Sequence, residues 1–439
     1  MNTDRALFHP DYKPEPYWWE AARPGTQFST DLPADTEIFV VGSGYSGLSA
    51  ALELARAGRA VTVVDAQAFG EAASSRSGGG VSGGVNLGKG ISGGPGQDAQ
   101  AEALLTESAA AYDHVIALIE KEGIDCNLEQ RGRFIGANAP KHLPGLVKKA
   151  EMLNRVLGVG ATVVAKEDQR SEIGSDFYHG GVAIERAAKL HPALYYKGLL
   201  ETCHAAGVSL TAHCEVTAID GKVGGFKVQT AKSECRAEQV IIATNGYTGG
   251  LTPDLRKRLV PISSQIIVTE ELPQDLADEL IPKGRTISES ARITSYYRLT
   301  PGNRRVMYGG RARFHHVDAD VSAGLLHGMM TARWPQLKDA RITHSWSGFV
   351  AMTTDSLPHI GLEKGMHYAA GCNGSGVAMM TYLGHQVARR ILQDGKSDSG
   401  FANIDFPPVP VPLYNGNPWF LPIIGGYYRL RDKWERGNG

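Results

Sequence analysis

Apolar and polar positions near the N-terminus alternate in the manner of a strand, a helix and a second strand. Residues 38–41 form a short apolar run that meets a glycine turn, and apolar residues then recur at helical spacing from Leu48 to Ala55. Gly58 ends the predicted helix, and the apolar run "AVTVVD" that follows ends at Asp65. The pattern predicts a βαβ unit.

Farther along the chain, helical spacing and strand-like alternation form longer blocks. Helical periodicity recurs at 99–122, 141–157 and 191–207. From about 260 to 350 the alternation is mostly that of strands, and "PGN" at 301–303 predicts a turn between two of them. The stretch "AAGCNGSGVAMMTYLGHQVARRIL", 369–392, again has the pattern of a strand, a glycine turn and a helix.

Elements of the dinucleotide-binding kind therefore stand at both ends of the chain, with a β-rich insert between them. This order predicts a discontinuous cofactor domain. The predicted boundaries are an N-terminal arm over 1–35, a cofactor domain over 36–98, 185–260 and 340–395, an inserted substrate domain over 99–184 and 261–339, and a C-terminal tail over 396–439.

The composition narrows the class of protein. The 439 residues are 42% hydrophobic and 21% charged, and a formal net charge of -1 gives no overall attraction to nucleic acid or anionic lipid. Five cysteines form no CxxC pair and no His/Cys cluster, so we expect reduced thiols and no metal. Because no signal peptide and no apolar run of about 18 residues is visible, we expect a cytoplasmic protein.

Glycine is the exceptional residue, with 53 copies concentrated in short segments. The first segment, "GSGYSG", fits GxGxxG between the predicted strand and helix. Gly42 permits the tight turn, Gly44 lets the backbone approach a pyrophosphate, and Gly47 lets the helix pack on the strand. Asp65, 23 residues beyond Gly42, is placed to accept hydrogen bonds from an adenosine ribose. A carboxylate there disfavours the 2′-phosphate of NADP, so NAD and FAD remain.

Three further segments favour FAD over NAD. In "ASSRSGGG", 73–80, small residues replace the helix expected of a nicotinamide domain and let the chain run along a flavin. The strand "VIIATNGYTGG", 240–250, ends in a turn similar to that beneath the dinucleotide in flavoproteins with two dinucleotide-binding domains. The glycine loop at 371–376 starts a helix whose positive end suits the reduced flavin ring. The two glycine loops therefore predict one FAD, bound at its pyrophosphate and at its ring.

These motifs together resemble the D-amino-acid oxidase/glycine oxidase superfamily of FAD-dependent oxidoreductases, and within it the γ-glutamylputrescine oxidase-like branch. The resemblance spans roughly residues 37 to 392 and includes "HPALYYKGLL", "YYRLTPGNRRVMYGGR" and "WSGFVAMTTDSLPHIG". It implies an α/β (α+β) fold with a discontinuous Rossmann-like FAD-binding domain and an inserted substrate domain built on a mostly antiparallel β-sheet. It also implies oxidation of the C–N bond of a primary or secondary amine or amino acid to an imine, by hydride transfer to flavin N5, followed by hydrolysis.

The resemblance assigns FAD contacts to the motif positions. They are Gly42, Ser43, Gly44, Tyr45, Ser46, Gly47, Asp65, Ala66, Ser74, Ser75, Arg76, Ser77, Gly79, Val216, Ala243, Thr244, Asn245, Gly246, Trp346, Gly348, Asp355, Gly371, Asn373, Gly374, Ser375, Gly376 and Val377. Some relatives link FAD covalently to a histidine or cysteine. Residues 74–77 contain no histidine and Cys372 has a different setting from the linked cysteine, so we expect non-covalent FAD.

Substrate-positioning side chains are expected on the predicted hairpin and the strand after it. The residues that we predict for this role are Tyr297, Tyr308, Arg313 and His315. Arginine suits a substrate carboxylate, and tyrosine suits the wall of an amine site. Alternation places Arg311 on the same face as Arg313 and His315 but does not show which face lines the pocket. We expect no nucleophile, no metal and no obligatory protein base.

Several functions stay open on the sequence alone. The first is an oxidase that passes electrons to O2, and the second is a dehydrogenase that passes them to a quinone or a carrier protein. Sarcosine-oxidase relatives place a lysine near the flavin where a loose motif alignment gives Met307, which leaves the acceptor open. The third is a flavin subunit of a complex, because the apolar C-terminal tail either packs across the domain junction or contacts a partner subunit or membrane. An NAD-linked dehydrogenase has least support, because no second mononucleotide-binding half is visible.

Overall fold

The computed structural model describes residues 7–82, 97–311, 318–393, 398–402 and 404–437. Its strands are β1 (Phe8–Lys13), β2 (Asp35–Val41), β3 (Val61–Val64), β4 (Gly80–Val81), β5 (Arg133–Gly136), β6 (Ala161–Val164), β7 (Gly181–Ile184), β8 (Ala188–Lys189), β9 (Ser209–Thr211), β10 (Val216–Lys222), β11 (Gly225–Thr230), β12 (Glu234–Ile242), β13 (Val260–Thr269), β14 (Thr286–Glu289), β15 (Tyr296–Leu299), β16 (Val306–Gly310), β17 (Ile342–Met352), β18 (His359–Glu363) and β19 (Met366–Ala370). Its helices are α1 (Tyr45–Arg56), α2 (Ala73–Arg76), α3 (Gln97–Glu122), α4 (Leu143–Leu157), α5 (Pro192–Ala205), α6 (Pro253–Arg256), α7 (Gln274–Leu280), α8 (Ala319–Arg333), α9 (Gly376–Leu392) and α10 (Leu421–Gly437).

An eight-stranded sheet carries the first glycine loop. β9, β3, β2 and β12 are successive parallel neighbours, and β3 is buried along its whole length, as is usual for a parallel strand covered on both faces. The antiparallel strands β10 and β11 extend the sheet beside the first half of β12, and β19 pairs with the end of β12. Because Ile242 of β12 pairs with both Val41 and Tyr368, the carboxyl ends of β2, β12 and β19 meet at one edge.

The helices that follow the two glycine loops cross at close range. A Cβ atom on Gly384 of α9 would lie 2.2 Å from the main-chain oxygen of Ser46 in α1. The absence of a side chain at Gly384 therefore lets the two helix backbones touch. This contact fixes the first glycine loop relative to the second.

A second sheet has nine strands in the order β1-β17-β13-β16-β15-β14-β5-β7-β6. Only the pairs β1–β17 and β14–β5 within this described sheet are parallel, which confirms the predicted mostly antiparallel sheet. β1 comes from the stretch predicted as an N-terminal arm, and β17 from the last stretch predicted for the cofactor domain. β17 belongs here because it pairs with β13 from Ile342 to Met352.

The two faces of this second sheet are both buried, against different neighbours. On one face, Tyr297 and Tyr308 pack with Leu326 and Met330 of α8. On the other face, Met307 and other apolar residues pack around Trp18 of the N-terminal arm. Alternation along β15 and β16 therefore decides which side chains lie on the Trp18 face.

The C-terminal tail ends in a helix that packs on the second sheet. Tyr414, Phe420 and Leu421 form a small apolar cluster with Val260 and Ile262 of β13. α10 continues from this cluster. None of the helices in the described ranges is long and apolar enough to cross a membrane.

Candidate active site

The first glycine loop leaves no room for a side chain at Gly42 or at Gly47. Gly42 follows β2 with a φ of 104°, and a Cβ atom there would lie 2.9 Å from the main-chain oxygen of Ala243. A Cβ atom on Gly47 would lie 2.0 Å from the oxygen of Gly42. α1 begins at Tyr45 with Gly44 at the N-cap position, so the N-cap residue offers no side-chain oxygen to the first turn. A helix start of this kind suits a phosphate group.

Asp65 stands directly beside this loop, at the end of β3. Its Oδ2 accepts hydrogen bonds from the main-chain N–H of Ser43 at 3.0 Å and from the Ser43 hydroxyl at 2.6 Å. Its Oδ1 accepts one from the N–H of Gln67 at 3.0 Å. A carboxylate has about four acceptor sites, and the partly exposed Asp65 therefore retains capacity for a ribose hydroxyl. Ala66, the next residue, is exposed.

Two tryptophans of the N-terminal arm hold the segment after the second strand. Trp18 Nε1 donates to the main-chain oxygen of Ser77 at 2.9 Å, and Trp19 Nε1 donates to Ser75 Oγ at 2.8 Å. Trp18 and Ser75 are both buried. The segment is thus a packed part of the site and not a solvated loop. The aromatic pair inside "YWWE" is the sequence signal for these contacts, and it lies outside the cofactor motifs.

Further contacts fix the two ends of the same segment. Ser74 Oγ accepts from the N–H of Tyr45 at 3.2 Å, and the Tyr45 hydroxyl donates to the main-chain oxygen of Ser74. Gly79 has a φ of 68°, and a Cβ atom there would lie 2.1 Å from the main-chain oxygen of Leu190. The chain therefore passes between α1 and the start of α5 with no spare volume.

Arg76 links this segment to the second sheet. Its Nε donates to the main-chain oxygen of Glu71 at 2.6 Å and its Nη1 to that of Ser347 at 3.2 Å. In return, Trp346 Nε1 donates to the main-chain oxygen of Arg76 at 2.8 Å. A Cβ atom on Gly348 would lie 3.6 Å from the Arg76 Cβ. The predicted residues Arg76, Trp346 and Gly348 therefore come together at the junction of the two sheets.

The turn after β12 joins the second glycine loop. Asn245, with a φ of 42°, accepts a hydrogen bond on Oδ1 from the N–H of Gly371 at 3.0 Å. Ala243 and Thr244 precede it, and Gly246 lies against Phe349 of β17. Val216, in contrast, begins β10 on the other side of Asp65 and is buried there. Cys214, two residues before it, donates its N–H to the Asp65 main-chain oxygen at 2.7 Å.

The second glycine loop is built from residues with positive φ. Gly371, Asn373 and Gly374 have φ values of 83°, 47° and 90°. The Asn373 side chain holds the turn, since its Oδ1 accepts from the N–H of Thr353 at 3.0 Å and its Nδ2 donates to the oxygen of Gly371 at 2.8 Å. α9 then begins at Gly376, with Ser375 at its N-cap position and Val377 in its first turn. A second helix N-terminus is thus directed to the same edge as the first.

Asp355 has a structural partner. Its carboxylate pairs with the buried His359 at 3.0 Å and accepts the N–H of Leu357 at 3.0 Å. Burial alone would raise the pKa of Asp355, but the hydrogen bond from His359 outweighs it and the pKa lies below its usual value. His359 in turn stacks on Phe406, with ring centroids 3.9 Å apart. Asp355 therefore orders the chain before the second loop.

The Trp18 face of the second sheet carries an aromatic wall. Tyr296 shares a hydrogen bond with Ser264 Oγ at 3.0 Å. A Cβ atom on Gly78 would lie 2.9 Å from the Tyr296 ring, and one on Gly309 would lie 2.3 Å from it. Two glycines thus make the space that this ring occupies, next to the segment with the Arg76 contacts.

The structure places Tyr297 and Tyr308 on the opposite face, which corrects their prediction as substrate-positioning residues. Their rings stack in the core with centroids 5.2 Å apart, and both are at most 1% exposed. The Tyr297 hydroxyl bonds to that of Tyr178, which donates to Glu289 at 2.8 Å, and Glu289 forms a buried ion pair with Arg333. The physical reason is the strand period, which turns Tyr297 away from the face of Tyr296.

Arg313 and His315 lie outside the described residues, so their role stays a prediction. Arg311, which precedes them, is mostly buried, and its Nη2 lies 3.7 Å from Met352 Sδ. Burial lowers the pKa of Arg311, and Tyr296, Cys372 and Tyr428 oppose that shift. Arg311 therefore lies between the aromatic wall, the second glycine loop and α10.

Two glycine loops, a carboxylate after the second strand and an antiparallel sheet over the junction define a flavin-dependent enzyme of the two-domain type. The chain belongs to the DAO family, described as FAD dependent oxidoreductase, whose family model matches residues 37–390. This confirms the superfamily predicted from the motifs, in which amine and amino-acid oxidoreductases occur.

The relatives agree with this placement. A protein named probable oxidoreductase OrdL, from Haemophilus influenzae (strain Rd), is 31% identical over 413 residues, which cover 91% of this chain and 92% of the relative. Gamma-glutamylputrescine oxidoreductase from Escherichia coli (strain K12) is 31% identical over 403 residues, which cover 90% and 93%. The crystal structure of glycine oxidase from Geobacillus kaustophilus superposes with a TM-score of 0.73 at 20% identity and covers 85% of this chain and 99% of that one.

Proposed function

We propose that this protein oxidises the C–N bond of an amine or amino acid that carries a carboxylate, with FAD bound non-covalently. Membership of the family supplies FAD and the general class of reaction. The observation that carries the finer proposal is Arg311, a mostly buried guanidinium beside the second glycine loop.

The FAD contacts that we assign are those of the two loops and the segment between them. Gly42, Gly44 and Gly47 with the start of α1 suit the pyrophosphate, and Asp65 retains an acceptor site for the ribose. The segment 73–79 and the start of α9 suit the flavin ring. These residues fit the cofactor because the second loop is fixed by its hydrogen bond to Asn245 and leaves open space at Gly374, where a Cβ atom would meet nothing within 4 Å.

The chain favours non-covalent attachment. Residues 74–77 are Ser, Ser, Arg and Ser, so this segment offers no histidine for a covalent link. The thiol of Cys372 is 8% exposed, with its Sγ 3.7 Å from the main-chain oxygen of Ala351. Its side chain is therefore engaged with β17.

Arg311 is a mostly buried cation that a substrate anion would neutralise. Among the described residues no carboxylate forms an ion pair with it, and the contact on its Nη2 is the thioether of Met352. The adjoining undescribed stretch 312–317 has the sequence "ARFHHV", which contains no acidic residue. A buried guanidinium without a carboxylate is costly, so a substrate carboxylate is the partner that the site lacks.

When bound, FAD would accept the hydride of the substrate C–H bond, and the resulting imine would hydrolyse to a carbonyl compound and an amine or ammonia. The contribution of this chain is to position the substrate. Arg311 holds the carboxylate by a bidentate hydrogen bond, and Tyr296 forms the wall against which the amine end lies. The Tyr296 hydroxyl is neutral at neutral pH, as for any tyrosine, and burial raises its pKa further.

The test compares matched substrates on the FAD-loaded protein without oxygen. Candidate pairs are glycine with methylamine and γ-glutamylputrescine with putrescine, since each pair differs by the carboxylate-bearing part. We expect only the carboxylate-bearing members to bleach the visible flavin band efficiently. Arg311→Gln should raise KM for them by about 30-fold or more, because truncating one partner of a buried charge pair costs about 2 kcal/mol or more.

Arg304→Gln is the matched control, because Arg304 is half-exposed and pairs with Glu271 on the surface at 3.3 Å. It should leave KM close to that of the wild type. Bleaching by both members of a pair with equal efficiency would contradict the role of Arg311 while leaving the amine oxidation intact. A flavin that none of the compounds reduces would count against the oxidation itself.

The electron acceptor is the second part of the proposal. O2 is the acceptor proposed first, and a quinone or carrier protein is the alternative that one observation favours. Met307, at the position where a lysine promotes reaction with oxygen in sarcosine-oxidase relatives, is buried against Trp18 and Trp346. Re-oxidation by air, compared with re-oxidation by an artificial quinone after substrate reduction, separates the two.

A further inference from the structure

The outer face of α10 is an apolar stripe exposed to solvent. Ile423, Tyr427, Leu430 and Trp434 are 70%, 54%, 70% and 60% exposed. At 3.6 residues per turn these four positions fall within about 60° of one another on the helix. Trp419, 52% exposed, lies just before the helix. Isolated exposed apolar side chains are ordinary, but an aligned row of this kind marks an interaction surface.

The inner face of the same helix fixes the direction of this stripe. Asp432 accepts the main-chain N–H groups of Arg292 and Ile293 at 3.2 and 3.1 Å. Glu435, 4% exposed, accepts from Arg292 Nη2 at 3.0 Å. Leu421 is buried at the start of the helix. Because the inner face is anchored at both ends, the apolar stripe points outward in the folded protein.

The acidic side chains of α10 face the protein, whereas basic side chains flank its apolar stripe. Both of its carboxylates, on Asp432 and Glu435, face inward and are paired. On one flank of the stripe the exposed charged residues are Arg429 and Lys433, both basic. Arg436 is turned away from the stripe, with its guanidinium 3.3 Å from the centroid of the Phe177 ring. On the other flank lie Arg431, whose side chain is 42% exposed and pairs with Glu435 at 3.0 Å, and Lys141, whose Nζ lies 3.6 Å from Glu435 and 5.0 Å from the Trp434 ring centroid. An apolar stripe between two basic flanks is complementary to an anionic lipid surface.

We propose that α10 rests on the surface of an anionic lipid bilayer, with Ile423, Tyr427, Leu430 and Trp434 in the interface. Tryptophan near each end of the stripe matches the preference of this side chain for the headgroup level. A second copy of the chain is a poorer occupant. In a two-fold pair of α10 helices, basic flanks meet basic flanks in either helix direction. The net charge of -1 means that the attraction is local to this helix.

The test measures the binding of the FAD-loaded protein to vesicles by co-sedimentation. Vesicles of phosphatidylcholine with phosphatidylglycerol should bind it, and added salt should weaken that binding. Vesicles of phosphatidylcholine alone should bind about tenfold more weakly. The double variant Ile423→Ser, Leu430→Ser should lose about tenfold or more of the binding to anionic vesicles.

The matched control is the double variant Val321→Ser, Leu325→Ser, which removes two exposed apolar side chains one turn apart on α8. It should bind anionic vesicles as the wild type does. Equal binding by the α10 variant and the wild type overturns the proposal, and so does an absence of binding to anionic vesicles. Self-association in ultracentrifugation that the α10 variant abolishes, without vesicle binding, assigns the stripe to a second copy instead. None of these binding and self-association measurements requires an amine substrate.

Discussion

At three glycines of the site, main-chain oxygen atoms occupy the space that a side chain would need. A Cβ atom would lie 2.9 Å from the Ala243 oxygen at Gly42, 2.0 Å from the Gly42 oxygen at Gly47, and 2.1 Å from the Leu190 oxygen at Gly79. A neighbouring side chain can rotate away from such a clash, but a main-chain oxygen moves only with its backbone. These glycines are therefore needed to build the site, before any cofactor approaches.

Gly47→Ala should reduce the affinity for FAD and the stability of the fold together. The clash with the Gly42 oxygen must be relieved by moving the loop or the start of α1, at a cost of about 1–3 kcal/mol in the free energy of unfolding. We expect a protein purified with little flavin and a lower thermal midpoint. Flavin absorbance per protein and thermal unfolding with added FAD measure both effects.

The control is Gly328→Ala on α8, where a Cβ atom would meet no other atom within 4 Å. Alanine there should be neutral or stabilising by up to about 1 kcal/mol, because glycine is the weaker helix former. Normal flavin content in Gly47→Ala would show that the loop can shift without losing its ligand. That result would contradict the requirement for glycine next to the Gly42 oxygen.

At the scale of elements, the sequence predicts those parts of the fold whose pattern has a single interpretation. β2, α1 and β3 follow from an apolar run, a 3.6-residue period and a second apolar run, and β19 with α9 repeats the pattern. In "YYRL" of β15, by contrast, Tyr297 and Leu299 face one core while Tyr296 and Arg298 are also mostly buried. When both faces of a strand are covered, polarity does not show which face lines the site.

The terminal segments show a second limit of the sequence. β1 and Trp18 lie in a polar, proline-containing stretch, and their partners are more than 50 residues away in β17 and at Ser77. In α10, Pro422, Gly425 and Gly426 interrupt the helical signal, and its apolar residues lie on both faces. Contacts between residues far apart in the sequence determine where these elements form. A local sequence pattern carries no information about such contacts.

The docking of α10 is expected to depend on pH through Glu435. Hydrogen bonds from Arg292, opposed by burial and helped by Arg431 and His142, hold the pKa of Glu435 below its usual value of about 4.3. A depressed carboxyl pKa stabilises the folded state above that usual value, and the contribution is lost as the pH falls below it. Glu435→Gln should therefore cost about 1–2 kcal/mol at neutral pH and progressively less below about pH 4.

Denaturant unfolding of both proteins across this pH range measures the difference. Trypsin cleavage at the basic residues of α10, followed at neutral pH, should be faster in Glu435→Gln because the helix undocks more often. Asp176→Asn is the comparison, since Asp176 pairs with Arg170 on the exposed surface. A gap between Glu435→Gln and the wild type that stays constant down to acid pH would rule out the ion pairs as its source.

On the scale of the whole molecule, the candidate site lies where the two sheets meet, between the N-terminal arm and the C-terminal helix. The N-terminal arm holds the segment after β3 through Trp18 and Trp19, and the C-terminal helix lies beside Arg311 through Tyr428. The lipid contact that we propose for α10 would therefore lie next to the substrate pocket. In that arrangement a quinone dissolved in the lipid, which is the alternative electron acceptor, would lie near the substrate pocket.

Three histidines that are buried or partly buried should make the whole fold sensitive to mild acid. Burial lowers the pKa of His114, His191 and His367 to about 4, helped by His385 at the first, Arg298 at the second and Arg390 at the third. Between the usual histidine value of about 6.5 and pH 4 the unfolded chain takes up protons that the folded chain does not. Stability is therefore expected to fall with pH in this window, by up to about 1.4 kcal/mol per pH unit for each histidine.

Chemical denaturation from pH 7 to pH 4.5 gives the slope, and a variant identifies its source. His367→Asn removes one of these groups and should reduce the slope by up to about 1.4 kcal/mol per pH unit, whereas its effect at pH 7 reflects mainly packing. His191 is a poorer choice, because its Nδ1 accepts the N–H of Leu194 at the start of α5 and the variant would also uncap that helix. An unchanged slope in His367→Asn would mean that this ring is already accessible to protons in the folded protein, and the acid sensitivity would then have to come from other histidines such as His344, whose pKa burial also lowers.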